Sequence, residues 1–148
     1  MIELQKMEVV EYKTALSFYK IGFNDACLFY YDSNRDLKVV EQVQNDIYEM
    51  RFFVNSGTDT KTIAAPTFSQ ILNWLRETYD IHATLPSPVI NCDNKVVYNN
   101  YIFIENHFGM FPIIEAVKPN LSKINHKNYE DAKEALLKTI LKYIKESL

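Results

Sequence analysis

Residues 65–81 constrain the fold of this chain more than any other stretch: Ala-Pro-Thr-Phe-Ser-Gln-Ile-Leu-Asn-Trp-Leu-Arg-Glu-Thr-Tyr-Asp-Ile. Phe68, Ile71, Leu72, Leu75 and Tyr79 recur at helical spacing, so one side of the segment is apolar and must be buried. Thr67 followed by Gln70 makes a capping box, and Pro66 suits the mouth of a helix, where a missing amide costs little. Ile81-His82-Ala83-Thr84-Leu85 then reads as a strand. A helix feeding straight into a strand implies a mixed core. The stretch itself carries no catalytic or ligand chemistry.

The same reading extends along the chain. A first helix is expected over residues 9–21, with Tyr12, Ala15, Leu16 and Tyr19 on one face, Gly22 ending it and Phe23 folding back. Residues 26–31 follow as a strand apolar on both faces, which predicts a central position. Residues 32–36 are turn chemistry, and residues 37–41 return as a second strand. Arg51–Val54 has strand character, and residues 55–60 have loop chemistry. Pro86-Ser87-Pro88 breaks the pattern. Residues 95–98 and 101–105 then read as a hairpin closed by Asn99-Asn100, because asparagine tolerates positive φ.

The final helix starts after Asn128, a candidate N-cap. Glu130 and Asp131 lie in its first turn and Lys142 and Lys145 near its end, as the helix dipole prefers. Leu136, Leu137, Ile140, Leu141, Ile144 and Leu148 make its apolar stripe. Lys133 falls within that stripe, where its stem covers apolar surface while its ammonium reaches water. Tyr12, Leu16, Tyr19 and Phe23 superpose on Phe68, Leu72, Leu75 and Tyr79 at a 56-residue offset. Both halves then read as helix–strand–strand. The expected fold is therefore α+β: one globular domain over residues 1–148, three helices on an antiparallel or mixed sheet. Residues 42–62 and 107–127 are expected to be irregular or loop-rich.

Composition excludes several classes. With 47% hydrophobic residues, 14% aromatic and only 3 Gly in 148 residues, the body of the chain is not disordered. No apolar run approaches the roughly 20 residues a membrane helix needs. The first residues show neither a basic nor an apolar leader region, so a cytoplasmic location is expected. The net charge of −3 is split unevenly: residues 118–148 carry 7 Lys against 4 acidic groups, and the rest is acidic. Such a body disfavours general nucleic-acid binding, which draws on phosphate neutralisation.

Chemical motifs are weak. Residues 32–36 begin like a calcium loop, but Leu37 and Val43 occupy the positions that need Gly and Glu, so a hairpin turn is expected. His82, His107 and His126 are too scattered for a metal motif, and no cofactor is expected. Cys27 is expected to pack inside a strand, and neither Cys27 nor Cys92 has a flanking base to activate it. There is no nucleophile elbow and no phosphate loop. Aromatic residues are the surplus. They mark Tyr30, Phe52, Phe53, Tyr101 and Phe103 as weak candidate binding residues, beside the lysines Lys138, Lys142 and Lys145.

Two stretches, residues 12–32 (Ala15-Leu16, Gly22-Phe23, Cys27, Tyr30-Tyr31-Asp32) and residues 65–77 (Ala65-Pro66, Trp74, Arg76-Glu77), resemble small uncharacterised proteins carried by bacteria and their phages. Ala26 and Thr78-Tyr79 depart from that pattern. The resemblance implies a shared structure and transfers no activity.

The leading expectation is a non-enzymatic binding or accessory protein acting through a protein partner or self-association. One alternative is a small hydrolase or transferase whose site assembles only in three dimensions. The other is a nucleic-acid accessory protein using the basic face of the last helix.

Overall fold

The computed structural model describes residues 8–40, 52–55, 61–84, 86–90, 92–99, 102–106, 109–112 and 129–147. Among these residues the fold is α+β, as expected from the sequence. Its helices are α1 (Tyr12–Lys20), α2 (Phe68–Tyr79) and α3 (Tyr129–Ser147). Its strands are β1 (Phe29–Tyr31), β2 (Leu37–Val39), β3 (Ile63–Ala64), β4 (Ile81–Ala83), β5 (Ser87–Ile90), β6 (Val96–Asn99), β7 (Ile102–Asn106) and β8 (Gly109–Pro112). Every pairing between them is antiparallel. The chain divides into two compact units, Met1–Trp74 and Leu75–Leu148.

In the first unit the sheet order is β2-β1-β3, so the doubly apolar strand is central, as its sequence predicts. Phe29 faces Val39, Tyr31 faces Leu37, and Tyr30 faces both Lys38 and Ala64. The hairpin turn between β1 and β2 is held by the Asp32 carboxylate, which accepts the amides of Asn34 (2.9 Å) and Asp36 (3.0 Å). Arg35 takes the left-handed conformation there (φ 64°) and lays its guanidinium 5.0 Å from the Tyr12 ring centre. Asp32 Oδ1 thus serves the turn, as the hairpin reading requires.

Helix α1 packs against β3. Its buried face corrects the expected one: Thr14, Ala15 and Phe18 are buried, while Tyr12, Leu16 and Tyr19 are half-buried. The reason lies in Trp74. Phe18 and Phe23 both meet its ring edge-on, at 6.2 Å and 5.3 Å between centroids. Such pairs add about 0.5–1.5 kcal/mol each beyond area burial, and they turn the Phe18 side of the helix inward. The helix ends as expected. Gly22 has φ 98°, its amide donates to the Tyr19 carbonyl, and the Phe23 amide donates to the Phe18 carbonyl. That pair of bonds is a Schellman motif with Phe23 folded back.

Helix α2 opens with the reciprocal bonds of the capping box: the Thr67 amide donates to Gln70 Oε1 (3.0 Å), and the Gln70 amide donates to Thr67 Oγ1 (3.2 Å). Backbone from the chain's start seats the same corner. The Val10 amide donates to the Pro66 carbonyl and the Phe68 amide to the Glu8 carbonyl, both at 3.0 Å. Phe68, Ile71, Trp74 and Leu75 are buried, so the stripe read from sequence holds and gains Trp74.

In the second unit the sheet order is β4-β7-β8, with β5 and β6 forming a separate ribbon. Three expectations are corrected here. Pro86-Ser87-Pro88 does not end regular structure: Ser87–Ile90 is a strand, with Pro88 opposite Tyr98. A two-stranded ribbon tolerates proline wherever the missing donor faces away from the partner.

Among the described residues β6 pairs with β5, and β7 with β4 and β8, in place of the expected pairing of β6 with β7 across Asn99-Asn100; Asn100 itself lies outside the described residues. Asn99 still lies in β6, opposite Ser87, and the turn chemistry described between β5 and β6 lies at residues 92–95, with Asn94 at φ 60°. Asparagine thus supplies the left-handed turn, but at the other end of the strand. Residues 109–112, expected to be irregular, form β8 on the sheet edge, where Pro112 is accommodated opposite Phe103. Residues 113–127 lie outside the described residues.

The two helix–strand–strand halves are not reproduced either. β1 and β2 pair with each other, whereas β4 pairs with β7 and β5 with β6. Helical spacing recurs because both helices need an apolar stripe, and strand pairing does not follow it.

Helix α3 packs against β6, with Tyr98 and Tyr129 edge-on at 5.9 Å. Leu136, Leu137, Ile140, Leu141 and Ile144 are buried, as the stripe predicts, and Ala132 joins them. Leu148 and Asn128 lie outside the described residues. Lys133 is only 8% exposed. Its ammonium sits 3.1 Å from Glu130 Oε2 and 5.0 Å from the Tyr129 ring centre. The buried stem is as expected, but the ammonium meets the exposed Glu130 carboxylate where the sequence reading sent it to water.

Candidate functional site

Apolar surface, exposure and firm anchoring combine at residues 52–55, which also include two of the aromatics singled out by sequence. This short segment is tied down at two points. At Phe53 the backbone exchanges both hydrogen bonds with Cys27, each 2.8 Å long. At Asn55 the side chain works in both directions: its Nδ2 donates to the Phe23 carbonyl (2.9 Å), and its Oδ1 accepts the Ala64 amide (2.8 Å). Phe53 also stacks on Tyr30, with centroids 5.2 Å apart and planes 21° apart. One strand-like bridge, a side-chain latch and a stacked ring therefore hold this piece of backbone in place.

Alternation along extended backbone decides what is displayed. Phe53 turns towards Tyr30, so Phe52 and Val54 point the other way, and they are 50% and 47% exposed. Burying such side chains would be worth about 1.5–3 kcal/mol each, and here much of that is left ungained. Val39, on the edge strand of the same unit, is also exposed.

Of the residues singled out by sequence, Tyr30 and Phe53 are thus brought into contact, while Phe52 faces away from them. Tyr101 lies outside the described residues. Phe103 is placed in β7, opposite His82 and Pro112, in the other unit. Lys138, Lys142 and Lys145 are all exposed along α3, with Lys142 Nζ 3.9 Å from Glu146 Oε1.

Asn55 was legible only as loop chemistry. Its partners lie 32 residues upstream and 9 downstream, so no local pattern marks it as an anchor.

The buried cysteine has settled chemistry. Desolvation, reinforced by the nearby Asp25 charge, pushes the Cys27 thiol up to about 12, and its Sγ donates to the Asp25 carbonyl at 3.6 Å. At neutral pH it is a protonated thiol, whereas nucleophilic attack needs the thiolate. Cys92 is exposed, in the turn of the β5–β6 ribbon. Among the described residues no three His, Cys, Asp or Glu side chains gather as a metal site would require, and no helix is long and apolar enough to cross a membrane.

The chain matches no protein-family model, and comparison with curated proteins and with solved structures returns no match.

Proposed function

We propose that this chain is a cytoplasmic, non-enzymatic binding or accessory protein that acts through protein–protein contacts. In keeping with its sequence resemblance, it would belong with small proteins carried by bacteria and their phages. The observation that carries the proposal is the anchored 52–55 segment, which holds Phe52 and Val54 in the open while its own backbone is fixed. A preordered aromatic pays little conformational entropy on binding, which is why such residues dominate interface energetics.

Self-association is the first form to test. Sedimentation velocity at micromolar concentration is expected to show a species larger than the 17.4 kDa chain. The double variant F52S/V54S is expected to weaken that association by about 30-fold or more, the loss of a contact worth at least about 2 kcal/mol, with an unchanged far-UV spectrum. A wild-type chain that stays monomeric refutes self-association. An oligomer indifferent to the double change refutes this surface as its contact.

The alternative is a nucleic-acid accessory role, favoured by the exposure of Lys138, Lys142 and Lys145 on one helix. It predicts binding to single-stranded or duplex oligonucleotides that falls steeply between 50 and 200 mM salt, as counterion release demands (about 0.7–0.9 in logarithmic slope per phosphate neutralised). No binding at low salt ends that alternative.

A further inference from the structure

We draw no further inference here: the strongest candidate, the exposed apolar face of the β5–β6 ribbon formed by Pro88, Ile90 (72% exposed) and Val96 (55% exposed), carries nothing because nothing in the structure shows what covers it.

Discussion

Helices α1 and α2 share the aromatic cluster of Phe18, Phe23 and Trp74, yet they are secured at opposite ends. At the start of α1, Glu11 has the extended backbone of an N-cap (φ −62°, ψ 156°) but makes no side-chain cap. Its far end is closed by Gly22 and the two Schellman bonds. At the start of α2, Thr67 and Gln70 satisfy each other's amides. Its far end runs into Asp80, left-handed at φ 54° although it carries a Cβ. The difference follows from what each end must position. The end of α1 must return Phe23 to Trp74, while the start of α2 must meet the backbone of Glu8 and Val10. Helix ends are specified where a tertiary contact depends on their exit angle, and left-handed Asp80 does the same for α2 by turning it directly into β4.

Three substitutions break or sharpen this contrast. The largest effect is expected for G22A. An added Cβ would meet no atom within 4 Å, so the cost is backbone strain alone at φ 98°, about 1–2 kcal/mol. Urea denaturation should report that loss with an unchanged m-value. A loss under about 0.3 kcal/mol would mean that the Schellman turn does not govern the exit of α1.

T67A comes next. Removing the hydroxyl leaves the Gln70 amide without its cap, at a cost of about 1 kcal/mol. The same denaturation series measures it, and a neutral outcome would show that backbone bonds to Glu8 and Pro66 alone define the start of α2. The smallest effect has the opposite sign. E11S supplies the cap that α1 lacks and should add a few tenths of a kcal/mol, up to about 1. A destabilised E11S chain would show that the Glu11 position is set by something other than helix initiation.

Much of this was readable in the sequence, for a reason that also explains the misses. Thr67, Gln70 and Gly22 act on neighbours within five residues, so their patterns carry their meaning locally. The stripe of α3 is similar: Leu136, Leu137, Ile140, Leu141 and Ile144 specify its buried face whatever they meet. Strand pairing is different. Asn99-Asn100 and Asp93-Asn94 are comparable turn candidates, and only the register of β6 against β5, not composition, chooses between them. Phe18 was missed for a related reason: the tilt of α1 is set by Trp74, 56 residues away. The candidate site was half legible. Surplus aromatics pointed to Tyr30, Phe52 and Phe53, but the anchor that keeps Phe52 and Val54 displayed depends on pairings remote in sequence.

The Asn55 latch has a chemical consequence. One carboxamide donates a hydrogen bond to the Phe23 carbonyl and accepts one from the Ala64 amide, a dual role that an acid of the same shape cannot fill at neutral pH. Hydrolytic loss of ammonia would turn the donor into a second negative oxygen facing a carbonyl, reversing an attraction without altering the side chain's size. The integrity of the displayed segment thereby depends on position 55 remaining an amide.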